Sequence, residues 1–120
     1  MLRYHFVFCP HRRRKVFDIP GLENRFKELV EARCREEGYG ILAMECHRDH
    51  AHLFLSAPPT ASPSEIMARI KGYTSSVLRK EFPILCKAKC LWTRSFFVST
   101  AGDVSAETIR RYVETQKTRD

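Results

Sequence analysis

His50 and His52 stand two apart in the run Asp49-His50-Ala51-His52-Leu53, and Tyr112 stands four residues before Gln116 near the end of the chain. Side chains two apart on a strand point to the same face, so the two imidazoles can share a cation. Residues four apart on a helix are neighbours on one surface, so Tyr112 and Gln116 present a phenol and an amide together. Two neutral imidazoles and the neutral Gln116 amide leave a divalent ion its full charge, which a phosphate oxygen can complement. Such an ion acts as Lewis acid and template. Mixed nitrogen and oxygen ligation suits Mg²⁺ or Mn²⁺ with waters completing the shell, and leaves Zn²⁺ open. A free phenol has a pKa of about 10 and becomes a competent nucleophile only beside a cation. Attack by Tyr112 on phosphorus would store the broken bond as a phosphotyrosine, ready for rejoining.

Each feature alone is weak. A lone His-x-His is more often incidental than a site. A tyrosine on a helix stripe more often packs than reacts, and Gln116 by itself reads as a solvated helix end. The conjunction carries the reading. Other candidates are thinner: Cys86 and Cys90 with Cys46 or His47 as zinc ligands, and Tyr73 as a rival phenol on an apolar stripe. Glu45 is an unassigned acid, and His5 and His11 have no clear constellation. No glycine-rich phosphate loop and no serine–histidine–acid set can be assembled.

These residues must be positioned by a scaffold. Tyr4 to Cys9 reads as a buried strand, and positions 10–20 as a basic loop. Leu22, Phe26, Leu29, Val30 and Cys34 recur at helical spacing, and Gly38 stops that helix. Ile41–Cys46 and His50–Ser56 read as a hairpin around Arg48-Asp49. Ser62-Pro63-Ser64-Glu65 starts a second helix with a capping box and a first-turn proline; Pro83 ends it. Leu91–Thr100 reads as an aromatic strand, Gly102-Asp103 as a break, and Ser105 as the cap of a last helix. The order predicts an α+β, ferredoxin-like βαββαβ domain. Its antiparallel sheet carries two helices on one face, and an extra C-terminal helix carries the nucleophile. One domain spans 1–120, with a core over 1–101 and the last helix over about 105–118.

The chain of 120 residues has a formal net charge of +7, and the excess is clustered. Arg12, Arg13, Arg14 and Lys15, with Lys71, Arg94, Arg110 and Arg111, form the candidate nucleic-acid contacts. Five cysteines without disulfide-like spacing suit a reducing compartment. No apolar run is long enough to span a membrane, and the start lacks a signal-peptide core. A cytoplasmic location is expected.

Taken in order, several segments resemble one family, the single-tyrosine transposases of the histidine–hydrophobic–histidine superfamily found in small insertion sequences and repeat-associated relatives. Tyr4-His5-Phe6-Val7-Phe8 with Arg12-Arg13-Arg14-Lys15-Val16-Phe17 is similar to the family's first strand and basic loop. Asp49-His50-Ala51-His52-Leu53 resembles its metal motif, and Ile70-Lys71-Gly72-Tyr73-Thr74-Ser75 its second helix. Leu91–Val98 is like its final strand, and Ile109–Gln116 like its nucleophile helix. The resemblance implies metal binding by His50, His52 and Gln116, and Tyr112 as nucleophile. It implies single-stranded DNA as substrate, cleaved to a 5′-phosphotyrosine and a free 3′-hydroxyl, with imperfect hairpins near the element ends recognised. It further implies a homodimer with exchanged C-terminal helices. The chain departs from the pattern at Pro10-His11, where lysine–tyrosine is usual, and at Ala51, where valine is usual. It departs again at Cys46-His47-Arg48, where an apolar residue and proline are common. Two other readings compete: a non-catalytic module that binds nucleic-acid hairpins, and a metal-dependent hydrolase without a covalent intermediate.

Overall fold

The computed structural model describes residues 1–100. Within them, β1 is Leu2–Phe8, α1 Leu22–Glu37, β2 Gly40–Cys46, β3 Ala51–Ala57, α2 Pro63–Glu81 and β4 Phe97–Thr100. The four strands form one sheet in the order β2-β3-β1-β4, with every neighbouring pair antiparallel. This is the ferredoxin-like arrangement that the sequence predicts. The Gly102-Asp103 break, the Ser105 cap, Arg110, Arg111, Tyr112 and Gln116 lie outside the described residues.

Alternation along the strands separates two faces. Tyr4, Phe6 and Phe8 of β1 and Leu53, Leu55 and Ala57 of β3 are buried in the core. Against them lie Leu22, Phe26, Leu29, Val30 and Cys34 of α1 and Ile66, Met67, Ile70, Thr74 and Leu78 of α2. The alternate residues point away from the helices. There the register sets His5 of β1 opposite Phe54, and His52 between Val7 and Glu45.

Local chemistry explains the boundaries. Ser62 Oγ accepts from Glu65 N at 3.1 Å, capping α2. Gly38 ends α1 at φ 79°, and Tyr39 N donates to Cys34 O at 2.8 Å, which satisfies a carbonyl of the last turn. Gly40 faces Ser56 across the hairpin so closely that a Cβ would meet Ser56 Oγ at 2.6 Å.

All four strands differ from expectation at their ends: those of the hairpin shift to Gly40–Cys46 and Ala51–Ala57, which leaves His50 in the turn rather than on the strand, and the first and last differ more. The first begins at Leu2 and ends at Phe8, since Cys9 and Pro10 already turn toward the loop. The last is confined to Phe97–Thr100, because Leu91 and Trp92 are drawn into the core rather than into the ladder. Trp92 is buried against Phe8 at 5.1 Å and Phe26 at 5.5 Å, and its Nε1 donates to Thr74 Oγ1 at 3.0 Å. Lys71 Nζ donates to the carbonyls of Thr93 at 2.9 Å and Ser95 at 2.8 Å. With those carbonyls taken by a side chain, the segment follows an irregular path beside β1, linked by Pro10–Trp92 pairing and by Thr93 N donating to Cys9 O at 3.0 Å.

Candidate metal centre and nucleic-acid interface

The end of the β2–β3 hairpin builds the site. Cys46 pairs with Ala51, so residues 47–50 make the turn, and His47 N donates to His50 O at 2.8 Å. His47 and His50 therefore sit opposite one another at the end of the ladder. Their rings stack with centroids 4.4 Å apart. His52, one step into β3, meets both rings edge-on, at 5.2 Å from His47 and 5.1 Å from His50. One ligand atom from each of the three lies within 4.8 Å of the other two.

Two of these rings have an oriented second nitrogen. His50 Nδ1 lies 2.8 Å from Asp49 Oδ1. In the tautomer that donates to the carboxylate, its Nε2 lone pair is left for a cation, the usual backing of a metal-bound histidine. The same carboxylate accepts from Arg13 Nε and Nη2, each at 3.3 Å. The hydrogen bond with His50, reinforced by Arg13, holds Asp49 below the usual carboxylate range despite desolvation. Alternation alone would send Asp49 to the face opposite His50. It lies in the turn instead, where its side chain reaches back to the imidazole. Ala51 does face the helices, buried in the core.

His52 Nδ1 lies 3.0 Å from His5 Nε2. Both rings are buried, and His5 also stacks on Phe54 at 4.1 Å. Burial pulls the His5 pKa down to about 4, so its ring is neutral near neutral pH and can accept the His52 Nδ1 proton. In that tautomer the His52 lone pair lies on Nε2, the nitrogen that would ligate. His5 thus acquires a constellation that its sequence position did not reveal. Cys86 and Cys90 do not: they join no group of three ligating side chains among the described residues. Cys86 Sγ is directed at Arg79 O, 3.3 Å away, and Cys46 is buried in the core. Tyr73 packs beside that core, under the Arg33 guanidinium at 5.7 Å.

The basic loop abuts this hairpin. Arg48 binds Asp18 at 2.8 Å, and Phe17 N donates to Arg48 O at 3.3 Å. A cleft of about 600 Å³ runs between loop and hairpin, with Arg13, Lys15, Arg48, His47 and His50 among its lining. Arg12 and Arg13 hold the left-handed conformation at φ 59° and 52°, a strained backbone for residues with a Cβ. Arg12, Arg13, Lys15 and Arg94 are exposed and Arg14 half-buried. Lys71 is different: its ammonium is turned inward to backbone carbonyls and lies over the Phe8 and Phe96 rings.

A ferredoxin-like sheet with an oriented His-x-His pair at one end, flanked by a basic loop, defines the class: a histidine–hydrophobic–histidine domain. Comparison with known proteins places the chain further. A family model described as transposase, IS200-like, matches residues 1–116, and the chain belongs to that family, the single-tyrosine DNA transposases. It is 33% identical to the transposase of insertion sequence IS200 from Salmonella typhimurium over 122 residues, covering 98% of this chain and 78% of that one. To the ISDra2 transposase TnpA of Deinococcus radiodurans it is 27% identical over 119 residues, covering 96% and 84%. Among solved structures, a Deinococcus radiodurans transposase superposes with a TM-score of 0.77 at 24% identity, covering 96% of this chain and 90% of that one. A REP-associated tyrosine transposase bound to a REP hairpin superposes with a TM-score of 0.61 at 17% identity, covering 93% and 62%. Among the described residues no helix is long and apolar enough to cross a membrane.

Proposed function

We propose that this transposase cleaves and rejoins single-stranded DNA through Tyr112, at a divalent metal site formed by His50, His52 and Gln116. The observation that carries the reading is the imidazole pair, each ring backed at its second nitrogen, by Asp49 and by His5, beside the loop that carries Arg12, Arg13, Arg14 and Lys15. Mg²⁺ or Mn²⁺ held there would polarise the scissile phosphate and lower the cost of charge developing on its oxygens. The chain's own groups do the rest. Asp49 and His5 keep the ligating nitrogens unprotonated and aimed. Arg12, Arg13, Arg14, Lys15, Arg94, Arg110 and Arg111 hold the strand by its phosphates. The Tyr112 oxygen attacks phosphorus, the bond to the 3′ oxygen breaks, and that oxygen leaves as a hydroxyl after taking a proton. The 5′-phosphate stays on tyrosine until another 3′-hydroxyl reverses the step.

In this reading the whole of 1–120 works as one domain, with the core over 1–101 and a nucleophile helix over about 105–118. The protein acts as a homodimer on hairpin-bearing element ends, and exchange of the C-terminal helices would let each subunit complete its partner's site. The test is incubation with end-labelled single-stranded hairpin DNA and Mn²⁺ or Mg²⁺. A protein–DNA adduct that survives a denaturing gel is expected from wild type and is absent from Tyr112→Phe. An adduct of equal yield in Tyr112→Phe would overturn the assignment. Metal-dependent cleavage without any adduct would favour a hydrolase, and salt-sensitive hairpin binding without cleavage a non-catalytic module.

A further inference from the structure

Arg14 lies in the basic loop, and its guanidinium is only partly accommodated there. The Nε and Nη2 atoms are shut off from solvent and have no hydrogen-bond acceptor among the described residues. Together they form the side-on edge of the guanidinium, the fork that matches two oxygens of a phosphate or carboxylate. Burying a charged donor without an acceptor is costly. The hollow that Arg14 helps to line, of about 160 Å³, brings no carboxylate to it: the other walls are Lys15, Val16, Ile19, Ile84 and Leu85. The backbone just before Arg14 is strained as well. Arg12 and Arg13 stand at φ 59° and 52°, where a Cβ crowds the following carbonyl. The chain is pinned on both sides of this stretch. His11 N donates to Leu91 O at 2.7 Å and Phe17 N to Arg48 O at 3.3 Å, and Val16 and Phe17 are buried. Between the pins Arg12, Arg13 and Lys15 are exposed, so 12–15 can change course without unpacking the core. The Arg13–Asp49 ion pair, at 3.3 Å with Arg13 exposed, resists that change only weakly.

We propose that Arg14 is a phosphate-binding fork kept out of reach in the DNA-free protein, and that residues 12–15 turn over on contact with a nucleic-acid phosphate to deliver it. The inference rests on the reading of the basic loop as a nucleic-acid contact and says how that contact is made. Turning Arg12 and Arg13 to negative φ releases their strain, and the phosphate supplies the acceptor that Nε and Nη2 lack. Both effects favour the bound form alone. A net charge of +7 in a chain of a DNA transposase family makes phosphate the anion that this fork meets.

The test uses full-length protein in chelator, so that the metal centre and Tyr112 chemistry take no part. Urea unfolding without DNA, and fluorescence anisotropy with a labelled oligothymidylate, compare wild type, Arg14→Met, Arg12→Ala and Arg12→Gly, each first shown folded by circular dichroism. Arg14→Met keeps an apolar stem and removes the unpaired charge. Its urea midpoint should rise while its DNA affinity falls about ten-fold. Arg12→Ala and Arg12→Gly lose the same charge, but glycine is at ease at φ 59° and alanine is not. Glycine therefore favours the DNA-free course of the loop, and Arg12→Gly should bind about five-fold more weakly than Arg12→Ala. A lowered or unchanged urea midpoint in Arg14→Met would overturn the unpaired, parked guanidinium. Equal affinity of the two Arg12 variants would overturn the turning of the loop. Wild-type affinity in Arg14→Met, with binding weakened in Arg12→Ala, would remove Arg14 as the fork and leave the basic loop as the DNA surface. Wild-type affinity in Arg14→Met and Arg12→Ala alike would bring down both readings.

Discussion

His52 and His5 show how one contact at residue scale sets chemistry. His52 can ligate through one nitrogen only if the other carries the proton, and the neighbour that can accept that proton is a buried, neutral His5, 3.0 Å away. Keeping His5 neutral has a consequence for stability. Its pKa is lowered from 6.5 to about 4 by burial, so between those values the unfolded chain binds more protons than the folded one. Stability is then full above about pH 6.5 and declines as pH falls toward 4, by about 2–3 kcal/mol between pH 7 and 4.5. Urea unfolding in chelator at the two pH values should show this decline in wild type and a smaller one, by about 2 kcal/mol, in His5→Gln, which keeps a polar partner for His52 but cannot titrate in this range. Equal declines would show that His5 does not titrate as its burial demands. The residue scale is also where sequence reading was uneven. The spacing of His50 and His52 is local and legible. His47 was within reach, since a hairpin around Arg48-Asp49 already sets positions 47 and 50 face to face. His5 was not, because its partner is 47 residues away and the β1–β3 register is a tertiary fact.

At the scale of elements, the periodic segments were legible and the aperiodic one was not. Both helices and the β2–β3 hairpin carry their own signals in apolar spacing, a proline-led cap and glycine stops. The stretch from Leu91 to Phe96 has strand composition, yet it is held out of the ladder by Thr74 and by Lys71 on α2, which no local pattern announces. The same contacts reassign Lys71 from DNA to structure. Its ammonium is half-buried, and desolvation lowers its pKa, yet it bonds two carbonyls. Lys71→Met keeps the aliphatic stem over Phe8 and Phe96 but removes both bonds. A loss of about 1–3 kcal/mol is expected, with faster amide exchange over Phe97–Thr100. Unchanged stability with weakened DNA binding would return Lys71 to the DNA surface.

Across the whole molecule, charge is sorted rather than merely abundant. On the helical layer the ions neutralise one another: Arg25 with Glu28 and Glu81, Arg33 with Glu36 and Glu37, Arg69 with Glu37 and Glu65. At the hairpin end of the sheet the balance differs. Arg12 and Lys15 are exposed, and so is Arg94, which follows the stretch where residues 91–93 run antiparallel along 9–11. None of these three has a carboxylate within ion-pair distance among the described residues. Three cations of the net +7 thus stand without an ion-pair partner at the end that carries the imidazoles, where a phosphate backbone would be drawn toward the metal site. Counterion release gives this a number, since each phosphate neutralised on a single strand contributes about 0.7 to the slope of log K against log salt. Fluorescence anisotropy with a labelled single strand, repeated over a range of KCl, should therefore show the slope of Arg12→Ala/Lys15→Ala falling by about 1.4 relative to wild type. Arg69→Ala, which removes the same kind of charge from a paired site at the far end of the molecule, should leave the slope in place. If both variants lowered it equally, binding would follow net charge alone, and the loop beside the hairpin would lose its standing as the surface that delivers DNA to the histidines.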